Sequence, residues 1–136
     1  MGILYQWVRV AAGREPSPSE AAVDSQSVET ATMIHEDVGY DAGKKIHGRK
    51  RHLTVDLLGL VLRVLVTSAS TPERTGAKKV LKRVYGMGNR VNRLHTIWMD
   101  GGYRGLDFMR SCNRYVQVDC GNRSQTLGKE GFCPLT

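Results

Sequence analysis

The chain has 136 residues, of which 40% are hydrophobic and 24% charged, and its formal net charge is +7 with a pI of about 9.6. This composition is typical of one globular domain and argues against a disordered chain. The apolar runs are too short and too interrupted for a transmembrane helix, and the three cysteines form no C-x-x-C pair that would indicate a zinc site.

The first half of the chain predicts an arm, a strand, a long loop and a hairpin. Residues 1–20 show little pattern and end in REPSPSE, which is typical of a linker or arm. Residues 21–28 predict a strand with Asp24 in its interior, and residues 35–48 a long loop. The alternating stretch 49–56 and the valine-rich stretch 58–70 are joined by DLLG, which favours an antiparallel hairpin.

The second half predicts helices alternating with strands. The clearest helix covers residues 75–85, where an apolar stripe recurs at helical spacing. The stripe consists of Ala77, Val80, Leu81, Val84 and Tyr85. A strand over 94–99, a weaker helix over 103–113 and a strand over 115–119 follow. This order predicts an α/β fold with a mixed sheet and helices on its faces.

Positive charge is concentrated in two segments that contain no acid. Residues 44–52 (KKIHGRKRH) hold five cations and residues 74–93 hold seven. Such segments are either solvated faces or a surface for a polyanion, most simply nucleic acid.

Two aspartates, Asp24 and Asp100, stand within or at the end of otherwise apolar strands. If these strands are neighbours, the two carboxylates meet, and a divalent cation such as Mg²⁺ would remove their repulsion and support phosphoryl transfer. Other interpretations stay open at this point. Asp24 could belong to an Asx-turn or stand at the end of a strand, and Asp100 could be the N-cap of a helix. The motif DGGYRG could also form a nucleotide-binding turn, although an aspartate stands at its first glycine position.

The ordered blocks AAVDSQSVETA, GYDAGKKIHGRKRHLTVDLLGLVLRVLVTSAS, GAKKVLKRV and IWMDGGYRG resemble bacterial insertion-sequence transposases of the IS4/IS5 type. These are DDE transposases with an RNase H-like catalytic core, and they cut and join DNA in a metal-dependent reaction. The resemblance divides the chain into an N-terminal arm or linker (1–20) and a partial catalytic core (21–136).

The resemblance also implies roles for individual residues. Asp24 and Asp100 correspond to the first and second catalytic carboxylates, which bind Mg²⁺ or Mn²⁺. A basic block is implied to lie along the DNA backbone, where contacts position DNA without reading its sequence. This block consists of Lys44, Lys45, Arg49, Lys50 and Arg51.

The family's third carboxylate has no match in this sequence. In the family, a glutamate on a helix follows a segment like EGFCPLT, and Glu130 does not correspond to it. The sequence therefore predicts a truncated core that binds DNA but is inactive alone, with an apolar sheet face near Asp24 partly uncovered. The expected partners are DNA and either a second copy of the chain or a polypeptide that supplies the glutamate helix. No membrane is expected, and the expected location is the bacterial cytoplasm at the nucleoid.

Two alternatives to a transposase core stay open. The chain could be a non-catalytic basic DNA-binding module, or a non-functional remnant of a decayed insertion sequence.

Overall fold

The computed structural model describes residues 2–31, 33, 36, 38–99, 103, 107, 108, 110–112 and, as backbone only, 119–122. The helices are α1 (Gly2–Ala11) and α2 (Glu73–Tyr85), and a short 3-10 helix covers Gly88–Val91. The strands are β1 (Glu20–Glu29), β2 (Gly39–Asp41), β3 (Ile46–Asp56), β4 (Val61–Ser68), β5 (Thr96–Met99) and β6 (Asp119–Asn122).

The six described strands form one mixed sheet. Strand β1 pairs antiparallel with β3 and parallel with β5, and β5 pairs parallel with β6. Strand β3 also pairs antiparallel with β4 and, through its first residues, with β2. The described strands therefore follow the order β4-β3-β1-β5-β6, with β2 beside the start of β3. This arrangement confirms the predicted mixed α/β sheet and is consistent with an RNase H-like fold.

The β3–β4 hairpin forms where the sequence predicts it. Asp56 Oδ1 accepts hydrogen bonds of 2.9 Å from the N–H groups of Leu58 and Leu60. Gly59 has a φ of 81°, a left-handed conformation that glycine adopts without steric cost. The aspartate and the glycine of this short link together close the turn.

The hydrophobic core lies between α2 and one face of the sheet. Ala77, Val80, Leu81 and Val84 are buried in it, which confirms most of the predicted apolar stripe, and α2 begins two residues earlier than predicted. Tyr85 was expected in the same stripe but is 58% exposed, because it lies at the end of the helix, where α2 gives way to the turn at Gly86.

The other face of the sheet carries the alternate side chains of β1, β3 and β4. Val64 and Val66 on β4 are 39% and 53% exposed there. They lie opposite Leu53 and Arg51 of β3 in the strand register. Asp24 is cross-strand to Leu53, so these partly exposed valines lie near it on the same face. The prediction that a missing helix uncovers this surface stays a prediction.

Helix α1 occupies a segment that the sequence predicts as an arm or linker. It is tied to the sheet by Asp56, whose Oδ2 accepts hydrogen bonds from Tyr5 Oη (2.8 Å) and Arg9 Nη1 (2.6 Å). The apolar residues of α1 did not predict this contact, because most of them face solvent. Ile3, Leu4 and Trp7 are each about two-thirds exposed (65%, 69% and 66%).

The predicted loop over 35–48 is wrong for residues 39–41 and 46–48, which belong to strands. Residues Gly39–Asp41 form β2, and β3 begins at Ile46, so only a four-residue connection remains between them. The weaker helix over 103–113 is helical at the described residues 107, 108 and 110–112. The predicted strand over 115–119 falls mostly outside the described residues, and β6 is described from Asp119.

Gly76 allows α2 to lie directly on the ring of His52, a fully buried side chain of β3. Burial lowers the pKa of His52, and the nearby Lys50 charge lowers it further.

A methyl group at Gly76 would overlap the ring of His52, so Gly76→Ala should destabilise the protein by about 1–3 kcal/mol, the usual cost of overpacking. Thermal or urea unfolding measures this loss. The double variant Gly76→Ala with His52→Ser should lose less than the sum of the two single changes, and simple additivity would contradict the direct contact.

Candidate nucleic-acid and metal site

Asp24 lies on the sheet face turned away from α2. Its neighbours Ala21 and Val23 are buried in the core, and strand alternation places Asp24 on the opposite side, where it is exposed. The depression around Asp24 has a volume of about 220 Å³. It is lined by Asp24, Ser25, Gln26, Arg51, Leu53 and Val64.

The register of β1 and β5 pairs the residues that directly precede the two candidate aspartates in the sequence. The strands are parallel, and their last described pair sets Val23 opposite Met99. The next residue of β1 is Asp24, and the next residue of the chain after β5 is Asp100, which lies outside the described residues. The predicted adjacency of the two strands is confirmed, whereas the meeting of the two carboxylates stays a prediction.

Arg51 is the basic residue that lines the depression around Asp24. It pairs with Gln26, two residues from Asp24 on the same face of β1, and its Nη2 donates a 2.7 Å hydrogen bond to Gln26 Oε1. This bond uses one of the five N–H donors of the guanidinium. Arg49 lies on the same face and is partly buried, and its Nη2 donates to the carbonyl of Glu36 at 2.9 Å.

Lys44 and Lys45 are exposed in the short connection between β2 and β3. Lys50, by contrast, does not reach the exposed surface. Its side chain is only 6% exposed, and its Nζ lies 3.3 Å from Asp41 Oδ2 and donates to the carbonyl of Thr71 at 3.1 Å. The cause is strand alternation, which turns Lys50 toward α2 while Arg49 and Arg51 face the opposite side.

The comparison with protein-family models identifies the chain. The model described as "Transposase DDE domain" matches residues 15–128, which is most of the sequence. The chain belongs to this DDE transposase family. Comparisons with curated proteins and with solved structures gave no match.

As a DDE transposase domain, the chain carries site features that the sequence patterns did not predict. The sequence did not predict a role for Gln26, which accepts a hydrogen bond from Arg51. It also did not predict a role for Asp41, which contacts Lys50. A signal for Asp41 was present, because an aspartate two residues before a glycine is typical of an Asx-turn. Gln26 has no local signal, since its role depends on cross-strand pairing.

The described part of this transposase domain contains no cluster of three or more His, Cys, Asp or Glu side chains that could hold a metal ion. The Oδ1 of Asp24 accepts a 2.8 Å hydrogen bond from the N–H of Ser25, and the side chain is exposed. An exposed carboxylate with a free oxygen fits one ligand position of Mg²⁺, which commonly takes one or two carboxylates and keeps several waters.

Among the described residues, no helix is both long enough and apolar enough to cross a bilayer.

Proposed function

We propose that this chain is the nucleic-acid-binding part of a DNA transposase active site, and that Asp24 and Asp100 are its first two metal-binding carboxylates. The observation that carries the proposal is the β1–β5 register, which ends with Val23 opposite Met99. If the pairing continues by one residue, Asp100 falls beside Asp24 on the face turned away from α2. The chemistry is phosphodiester cleavage and strand transfer.

The donor set fits Mg²⁺ or Mn²⁺. Asp24 offers a hard oxygen ligand that is exposed and otherwise accepts one backbone hydrogen bond. A bound divalent cation supplies activation of the attacking oxygen and charge stabilisation of the leaving oxygen. The residues of this chain then hold the cation and orient the DNA backbone beside it.

The DNA surface that we propose contains four of the five cations of the basic block. Arg51 lines the same depression as Asp24, Arg49 precedes it by two residues on β3, and Lys44 and Lys45 lie in the β2–β3 connection. Lys50 is excluded because its ammonium is buried against Asp41. Lysine and arginine contacts of this kind give affinity for phosphates that depends strongly on salt.

Duplex DNA should bind with log affinity that falls linearly against log salt, and Arg51→Ala should reduce the slope by about one unit. The reason is the loss of one phosphate contact, so affinity should fall to a similar extent for unrelated DNA sequences. Fluorescence anisotropy over a series of salt concentrations, with and without Mg²⁺, measures both quantities. A response to Mg²⁺ favours the metal-assisted transposase site, and its absence favours a non-catalytic basic module.

Lys79→Ala is the matched control for this prediction. Lys79 is an exposed cation of α2, which packs on the other face of the sheet, and its loss should keep the slope. An equal decrease for both variants would move the DNA surface to the second basic segment and contradict the proposal.

We further propose that the site needs a third carboxylate beside Asp24 and Asp100, the glutamate that the resemblance to the family implies. The proposed location of the protein is the bacterial cytoplasm at the nucleoid, where its DNA substrate lies. The remnant hypothesis predicts no salt-dependent DNA binding, and the titration above separates it from both binding hypotheses.

A further inference from the structure

The carboxylate of Asp41, the last residue of β2, is engaged at both oxygens. Its Oδ2 accepts a 2.6 Å hydrogen bond from Ser27 Oγ and lies 3.3 Å from Lys50 Nζ. Its Oδ1 accepts hydrogen bonds from the backbone N–H groups of Gly43 (3.1 Å) and Lys44 (3.2 Å). The Ser27 hydroxyl, the Lys44 N–H and the Lys50 charge together lower the pKa of Asp41 to about 2.

These contacts fold the connection between β2 and β3 into a fixed shape. Asp41 draws the backbone of Gly43 and Lys44 back over the end of β2, and Lys45 then adopts a left-handed φ of 55° as the chain enters β3. Residues other than glycine rarely adopt this conformation unless their surroundings impose it. The connection is thus exposed in its side chains but constrained in its backbone.

The fold of the connection sets where the Lys44 ammonium lies. Lys44 Nζ is 3.5 Å from the carbonyl oxygen of Ser25, the residue after Asp24. Pairing between β1 and β5 is described up to Val23, so this carbonyl lies just past the end of the paired region. The Lys44 ammonium therefore lies at the β1 backbone one residue after Asp24, on the side from which Glu73 of α2 approaches, although Lys44 follows Asp24 by twenty residues in the sequence.

Lys44 is available to an incoming anion. Its other neighbour is Glu73 Oε1 at 3.7 Å, and both side chains of this pair are substantially exposed (42% and 36%). Exposed ion pairs of this kind contribute little and are screened by salt. A phosphate can replace Glu73 without the expense of a buried charge pair.

We propose that Asp41 is a positioning residue that holds Lys44 ready to bind a backbone phosphate of the DNA strand beside Asp24. The inference rests on the proposed function. Asp41 acts through the shape of the connection and not as a metal ligand, because both of its oxygens are bound within the protein and one faces an ammonium group. Holding the side chain in its binding position before DNA arrives removes an ordering cost from the association.

A double-mutant cycle tests the proposal, with the four proteins wild type, Asp41→Ala, Lys44→Ala and the double variant. The slope of log DNA affinity against log salt is measured for each with a duplex of random sequence. Lys44→Ala should reduce the slope by about one unit, Asp41→Ala should reduce it by a similar amount, and the double variant should lose no more than Lys44→Ala alone. A general structural defect would not be cancelled by the removal of Lys44. Independent, additive losses overturn the proposal, as does an Asp41→Ala slope equal to that of wild type.

Asp41→Asn provides a second route if Asp41→Ala fails to give a cooperative melting curve. Asparagine keeps one oxygen for the N–H groups of Gly43 and Lys44, so its slope should lie closer to wild type than that of Lys44→Ala. A slope as low as that of Lys44→Ala would assign the effect to charge and overturn the positioning role. Failure of the proposed function is distinguishable, because wild type itself would then show no salt-dependent binding.

Discussion

Metal-dependent DNA nicking should fall by about 10²–10³-fold or more when Asp24 is replaced by Asn, and Asp100→Asn should have an effect of similar size. Each change removes a negative ligand while keeping nearly the same side-chain volume, so the cation loses charge compensation and geometry. The measurement uses supercoiled plasmid with Mg²⁺ or Mn²⁺. The chain is supplied with the family's glutamate-containing helix, either fused or in trans.

The control for this experiment is Asp107→Asn. Asp107 is an exposed, helical residue of the described structure and should be dispensable for nicking. If Asp24→Asn nicks DNA at the wild-type rate, Asp24 is not a metal ligand and the two-aspartate site is wrong. If the 136 residues alone nick DNA and Asp100→Ala abolishes it, another acid of this sequence, such as Glu130 or Asp119, completes the site.

Asp56→Ala is expected to cost about 3–5 kcal/mol of the free energy of unfolding, the usual effect of breaking a buried ion pair. The Asp56 side chain has no exposed surface and the Arg9 side chain only 7%, with 2.6 Å between Arg9 Nη1 and Asp56 Oδ2. The change leaves the guanidinium buried without its counter-charge. It also removes the acceptor for Tyr5 and for the hairpin turn N–H groups. The total free energy of unfolding of a small domain is only about 5–15 kcal/mol, so the variant should be close to unfolding.

Arg9→Ala should cost less than Asp56→Ala, about 1.5–3 kcal/mol, the range for a hydrogen bond to a charged group. In that variant the carboxylate keeps Tyr5 and the N–H groups of the turn. Urea unfolding compares both variants with Glu29→Ala, an exposed acid at the end of β1 whose loss should be nearly neutral. Equal, small losses for Asp56→Ala and Glu29→Ala would show that α1 contributes nothing to the stability of the sheet.

Where the side-chain pattern was local, the predictions agree with the structure. The strand around Asp24, the β3–β4 hairpin with its DLLG link, and the stripe from Ala77 to Val84 on α2 were all found. Each depends on a period of two or 3.6 residues, or on a glycine at a turn, and these act over a few neighbouring residues. Elements held mainly by distant polar contacts were missed. Helix α1 depends on Asp56, which follows Arg9 by 47 residues, and β2 is three residues long and depends on pairing with β3.

The sequence alone was enough to predict a basic α/β domain of the DDE transposase type, with one aspartate in its first strand and another at the end of the strand over 94–99. Which face of β3 is buried, by contrast, depends on how the helices and strands pack together. Hydrophobicity would place Leu53 and Val55 in the core, yet His52 and Thr54 are the residues with no exposed surface. The physical reason is that α2 packs on this polar side, with Gly76 against the ring of His52, while Thr67 Oγ1 lies 3.0 Å from His52 Nε2. The same choice of face buries Lys50 and leaves Arg51 beside Asp24.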